Sequence, residues 1–204
     1  MSSITLPELR RSLRQARQQI PASTRTQYDV QINQRIIRSR LLLRQPRIAS
    51  YMAHNGEPSL ERLIIACSER HLLHYLPTLT NKQTLLFTKY SWGDKLKYNR
   101  FNIEEANTTS SISSKFLSMI LVPLVGYDKL GNRLGAGGGY YDRTLSYSAS
   151  ATCTLKPLLV GIAYSHQEVD KLATQPWDIP LDAVINERQI ICFSNRAASL
   201  LSLY

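Results

Sequence analysis

Two short runs in this chain, Ile120–Val125 (ILVPLV) and Leu158–Ala163 (LLVGIA), contain no polar side chain. A strand with one solvated face alternates apolar and polar residues, so an unbroken apolar run suits a strand covered on both faces, the environment of a parallel sheet between two layers. Both runs read as central parallel strands. The surrounding pattern alternates in the same sense: Arg47–Met52 reads as a strand, Pro58–Arg70 as a helix opened by Pro-Ser, and Leu73–Leu76 and Thr84–Lys89 as further strands. The polar stretches Asn107–Lys115 and Leu145–Leu155 read as connections, the second beginning as a helix end. The expected fold class is α/β, a three-layer α/β/α arrangement with a mostly parallel central sheet. At 204 residues the chain is expected to form one domain over 1–204, with residues 1–45 as helices packed on the core.

The net charge of +10 is concentrated at the front, where residues 1–47 hold ten arginines, no lysine, and only Glu8 and Asp29 as acids. Thr5-x-x-Glu8 with Pro7 is a helix start signal, and Pro21 stops the helix that follows. Arg10, Arg14 and Arg17 are spaced four and three apart, so the spacing predicts one face able to converge on one anion. Ser23 is placed to cap a second helix, with Tyr28, Ile32, Ile36 and Leu43 at helical spacing before Pro46. The pair forms a basic N-terminal hairpin. An all-arginine segment fits small polyanions as well as a nucleic-acid backbone, and a solvated helix face with spare charge is the plain alternative.

Five of the nine glycines fall in Gly131–Gly139, after one of the buried runs and before Tyr140-Tyr141-Asp142. Glycine lets bare backbone approach a ligand, so glycines between a buried strand and a helix point successive N–H groups at a phosphate. Arg133 within the segment could neutralise a transferring phosphoryl group, and Asp142 offers a hard oxygen for magnesium. Tyr140 and Tyr141 read either as a stacking wall or as ordinary packing. No Gly-Lys-Ser/Thr of a Walker loop occurs. The loop alone says nucleotide or phosphate.

The stretch Pro123-Leu-Val-Gly-Tyr-Asp-x-x-Gly-x-Arg-Leu-Gly-x-Gly-Gly-Gly-Tyr-Tyr-Asp-Arg-x-Leu145 resembles the signature of the 5-formyltetrahydrofolate cyclo-ligases, also called methenyltetrahydrofolate synthetases. Trp177-Asp-Ile-Pro-Leu-Asp-Ala-Val-Ile185 resembles the family's C-terminal segment, and Leu13-Arg14 with its preceding basic residues resembles its basic helix. The resemblance implies an ATP- and magnesium-dependent enzyme that converts 5-formyltetrahydrofolate, polyglutamylated forms included, to 5,10-methenyltetrahydrofolate with release of ADP and phosphate. It implies that Arg133, Leu134, Gly135, Ala136, Gly137, Gly138, Gly139, Tyr140 and Tyr141 bind ATP. Ala136 to Tyr140 also touch the folate, with Arg133 and Tyr140 nearest the chemistry. Arg10 and Arg14 would reach the nucleotide phosphates, and Asp142 and Asp182 would hold magnesium. Tyr51-Met-Ala-His-Asn-Gly-Glu57 resembles the segment that contacts the folate, which places Met52 and Glu57 on the substrate, and Phe101 resembles an aromatic position that packs on it. A carboxylate at Glu57 can accept two parallel N–H bonds from a pterin edge. Arg10 stands where the family commonly has lysine, and Ala106 where it often has proline.

His71 and His74 lie three apart with no third ligand of convincing spacing, and Cys67, Cys153 and Cys192 are too few and too scattered for a zinc site or a full set of disulfides. No stretch approaches the roughly 18 apolar residues of a membrane span, and MSSITLPELRRSLRQ lacks the apolar centre of a secretory signal. The expectation is a cytoplasmic monomer without membrane or nucleic-acid partners. The competing classes are another ATP-dependent small-molecule enzyme and a basic nucleic-acid-binding protein.

Overall fold

The computed structural model describes residues 4–39, 42, 46–150, 153–154 and 156–201; Arg40, Leu43, Arg44 and Leu155 lie outside the described residues. In chain order the helices are α1 (Leu6–Gln18), α2 (Ala22–Arg38), α3 (Glu61–Glu69), α4 (Tyr140–Leu145) and α5 (Asn195–Leu201). The strands are β1 (Arg47–Ala49), β2 (Leu73–Leu79), β3 (Leu85–Lys89), β4 (Leu96–Tyr98), β5 (Glu104–Ala106), β6 (Ser111–Ile112), β7 (Met119–Pro123), β8 (Gly126–Asp128), β9 (Arg133–Leu134), β10 (Leu158–Ile162), β11 (Glu168–Val169), β12 (Ala183–Ile185) and β13 (Ile190–Cys192).

An eight-stranded sheet runs in the order β13-β12-β10-β7-β1-β2-β3-β6. Its five central strands are parallel, and β13, β3 and β6 add antiparallel edges. The two apolar runs pair with each other at its centre, Leu158–Ile162 against Met119–Pro123. Met119, Leu121, Leu158, Val160 and Ile162 face Ile32 and Ile36 of α2, Leu63 and Cys67 of α3, and Ala197 and Leu201 of α5. Ile120, Val122 and Leu159 face the other way, against Leu145, Tyr127, Ile179 and Leu181. The period-two alternation thus feeds two apolar layers, which is why neither run carries a polar residue.

Helix starts show where local signals decide and where they do not. At α1 the Thr5–Glu8 capping box forms as expected, Thr5 N donating to Glu8 Oε2 at 2.8 Å and Glu8 N to Thr5 Oγ1 at 3.4 Å. Helix α2 begins earlier than a Ser23 cap requires. Pro21 takes the cap position with φ −56°, and its carbonyl accepts from Arg25 N at 2.9 Å, so Ser23 falls inside the first turn. Helix α3 starts at Glu61 rather than at Pro58-Ser59, and its cap comes from another helix. Asn33 of α2 accepts from Leu63 N at 2.9 Å and donates to Ser59 O at 2.7 Å. Two small sheets stand outside the main one: β11-β8-β9, and the β4–β5 hairpin, whose turn carries Phe101. Among the described residues no helix is long and apolar enough to cross a membrane.

Candidate active site

The parallel strand β7 ends at Pro123, and the chain continues through β8 and β9 into the glycine loop and α4. This brings the loop over the carboxyl ends of the sheet, where crevices of α/β folds lie. Gly137 has φ +104° and Gly139, the residue capping α4, has φ +64°; both values are strained for any side-chain-bearing residue. The loop's carbonyls are turned outward to guanidinium groups. Arg10 Nε donates to Gly135 O at 3.0 Å, Arg14 Nη2 to Ala136 O at 2.9 Å, and Arg143 Nη2 to Gly138 O. The N–H groups of Gly137, Gly138 and Gly139 have no partner among the described residues. Loop amides left open beside two arginines form an anion-binding arrangement.

Arg17 departs from the expected convergence. Its side chain is buried, with Nη1 donating to Leu124 O at 3.2 Å and Nη2 to Asn55 O at 2.9 Å, so it bolts α1 to the end of β7 and to the loop that carries Glu57. Helical spacing put the three arginines on one face, but the docking of α1 divides that face between cleft and core.

The loop is one wall of a cleft of about 470 Å³. Met52 and Glu57 line one side, Phe101 comes from the tip of the β4–β5 hairpin, and Arg133, Gly135, Ala136, Gly138, Gly139, Tyr140, Tyr141 and Asp142 come from the glycine segment. Burial pushes the Glu57 carboxyl above the ordinary glutamate range, and the Arg17 charge works against that rise. His54 N fixes the carboxylate by donating to Glu57 Oε2 at 3.2 Å. Arg133 is nearly buried and is engaged twice, with its Nη1 on Ile179 O and its Nη2 in an ion pair with Asp142 Oδ1. Leu134 packs inward against Leu13 and Val125 and contributes backbone rather than side chain.

The two tyrosines differ. Tyr140 meets Phe101 edge to face at 6.0 Å between centroids, and its hydroxyl accepts from Arg100. Tyr141 has a buried hydroxyl without a partner among the described residues, and burial and the Glu57 charge hold its proton well above the usual tyrosine range, while Arg133 opposes them. A protonated, unpaired hydroxyl in a ligand cleft is a donor in reserve. Sequence alone did not separate these neighbours, and it did not reveal Arg100 or the carbonyl clamp on the loop. The signal for the clamp was present only as arginines at helical spacing.

Asp182 is not brought into the cleft. It precedes β12 at the amino ends of the parallel strands, where its Oδ2 accepts from Leu159 N at 2.9 Å and its Oδ1 from Ser194 Oγ at 2.7 Å. Both oxygens brace β10 and the start of α5, so the expected Asp142–Asp182 pair is divided between the two ends of the sheet. Among the described residues no group of three or more His, Cys, Asp or Glu side chains is placed to hold a metal. His74 is buried, hydrogen-bonded to Ser50 Oγ at 2.8 Å, and lies apart from the cleft lining.

Known proteins resemble this chain along most of its length. The family model for the 5-formyltetrahydrofolate cyclo-ligase family matches residues 4–187. The chain is similar to a 5-formyltetrahydrofolate cyclo-ligase of Haemophilus influenzae, 34% identical over 178 residues that cover 85% of this chain and 93% of the relative. Among solved structures it resembles the 5,10-methenyltetrahydrofolate synthetase of Aquifex aeolicus, with a TM-score of 0.81 and 25% identity over 94% of each chain. It also resembles that of Mycoplasma pneumoniae, with a TM-score of 0.71 and 26% identity over 91% of this chain and 100% of the other. Glycine loop, arginine helix and cleft therefore stand in a chain that belongs to the 5-formyltetrahydrofolate cyclo-ligase family.

Proposed function

We propose that the chain converts 5-formyltetrahydrofolate to 5,10-methenyltetrahydrofolate in this cleft, with cleavage of ATP to ADP and phosphate. The observation that carries the assignment is the meeting, in one recess, of open loop amides flanked by arginines and a partly buried carboxylate on the facing side. The first suits a polyphosphate and the second the amino-pyrimidinone edge of a pterin.

The γ-phosphoryl group passes from ATP to the formyl oxygen, making the formyl carbon electrophilic. The second nitrogen of the same folate attacks that carbon and loses its proton, the carbon–oxygen bond to phosphate breaks, and phosphate leaves. No protein nucleophile is required, so the chain supplies position and charge. Glu57 and Met52 seat the pterin, while Phe101 and the Tyr140 ring pack on the folate beyond it. Open amides of the loop receive phosphate oxygens. Arg10 and Arg14 each use one arm to hold a loop carbonyl and keep other N–H groups for the nucleotide, which a lysine at position 10 could not do in the same fork geometry. Arg133 and the Tyr141 hydroxyl face the charge that spreads between formyl oxygen and phosphoryl group.

Asp142 fits magnesium. Its Oδ2 has no protein partner among the described residues, and it sits in the first turn of α4 beside the loop. Magnesium typically takes one or two carboxylates and fills its remaining positions with phosphate oxygens and water. When bound, the ion neutralises phosphate charge during transfer. The basic front end gives no separate support to nucleic-acid binding, because Arg17 and Arg35 are engaged by backbone carbonyls of the core. The test is to mix the purified protein with 5-formyltetrahydrofolate, ATP and magnesium and to follow the absorbance of the methenyl product. An ATP-dependent rise is expected; its absence would overturn the reading.

A further inference from the structure

One cationic feature of the cleft rim has no part in the reaction as described. Arg100, at the tip of the β4–β5 hairpin, donates to the Tyr140 hydroxyl, and its guanidinium carbon lies 5.1 Å from the centroid of the Phe101 ring. Arg143 of α4 lies 5.3 Å over the ring of the same tyrosine. Neither arginine forms an ion pair among the described residues. Two like charges gathered around one tyrosine repel unless an anion joins them.

The tip that carries Arg100 is braced. Asn99 Oδ1 accepts from Phe101 N at 2.9 Å and from Ile103 N at 3.1 Å. Its Nδ2 donates at 2.9 Å to the buried carboxylate of Glu105, which also accepts from Leu79 N of β2 at 2.9 Å. An exposed arginine normally gives up much rotamer freedom on binding, but this one is already oriented by a hydroxyl and a ring on a fixed turn. A held guanidinium without a counter-ion is a receptor for carboxylate or phosphate.

Arg10 and Arg14 lie with the loop that suits the polyphosphate, whereas Arg100 belongs to the hairpin that carries Phe101. Glu57 is partly buried, whereas Phe101, 48% exposed, and its neighbour Arg100 both stand in the open. A folate presents, in the same order, a hydrogen-bonding bicyclic head, a benzoyl ring and a glutamate. We propose that Arg100 binds the glutamate carboxylate of the folate and sets the preference of the site for substrates that carry it. The proposal rests on the folate reading of the cleft.

The test compares kcat/KM for 5-formyltetrahydrofolate with that for the same compound ending in a neutral methylamide in place of glutamate, in wild type, Arg100→Ala and Arg100→Lys. Wild type is expected to favour the glutamate form by roughly tenfold or more, the value of one charged hydrogen-bonding contact. Arg100→Ala brings the ratio close to one, and Arg100→Lys restores part of it. Tyr140→Phe, which removes the hydroxyl held by Arg100 but not the charge, keeps a preference for glutamate whatever its absolute rates. Equal slowing of both substrates in Arg100→Ala, or a raised KM for ATP with the preference intact, would overturn the assignment. Absence of ATP-dependent product from wild type with either compound would instead overturn the folate reading, and the assignment with it.

Discussion

Tyr140 and Tyr141 are neighbours in the chain with opposite surroundings, one hydroxyl tied to Arg100 and the other buried without a partner among the described residues. No sequence pattern distinguishes them, because the difference is made by what the hairpin and Glu57 bring from elsewhere. The proposed metal ligand is testable at this scale. Asp142→Asn keeps shape and a hydrogen-bonding oxygen for Arg133 but removes the charge, so kcat should fall by about 10²-fold or more, and the melting temperature should fall as well because the nearly buried Arg133 loses its counter-ion; wild-type turnover would refute the role. His74 makes a pH prediction. Burial lowers its pKa from 6.5 to about 4. The unfolded chain therefore binds a proton that the folded chain refuses between those values, and the folded state loses stability as pH falls from 6.5 towards 4, by up to about 3 kcal/mol. Denaturant titrations at pH 7 and pH 4.5 should show a smaller acid loss in His74→Gln than in wild type. Equal losses would remove His74 as the cause, because Asp29 and Glu57, whose carboxyl pKa values burial raises, act with the opposite sign in both proteins.

Among elements, the central strands were legible because an apolar run reports its own burial on both faces. The start of α3 was not, since its cap is a side chain on α2. Asn33 is buried and satisfies both Leu63 N and Ser59 O. Asn33→Ala leaves two backbone groups without partners, at about 1–3 kcal/mol each. A lowered denaturant midpoint of that order is expected, and an unchanged midpoint would show that water replaces the cap. The β4–β5 hairpin was also hidden. Its strands are three residues each, LKY and EEA, with no apolar alternation, and Glu105 is buried only because Leu79 N and Asn99 meet it there. The resemblance placed Phe101 on the substrate without revealing the hairpin that presents it.

For the whole molecule, the crowding of charge into the first 47 residues was plain in the sequence, but its use was not. Arg17 and Arg35 turn to carbonyls of the core, Arg10 and Arg14 to the glycine loop, and Ile32 and Ile36 sit in the same apolar layer as β7 and β10. We therefore propose that the arginine hairpin is part of one folding unit with the sheet. Amide exchange should protect Ile36 of α2 to the same level as Leu121 of β7, both opening only by global unfolding; exchange of α2 at a much lower free energy would separate the hairpin from the domain. The ion pair between Arg133 and Asp142 bears on the order of events. Each is the other's counter-ion before any ligand arrives, so neither a bare divalent ion nor a lone phosphate meets an uncompensated charge there. On the function proposed above, a metal already chelated by its nucleotide carries both signs at once and can replace the pair without leaving a charge stranded, so we propose that the first encounter is with the complex rather than with its components.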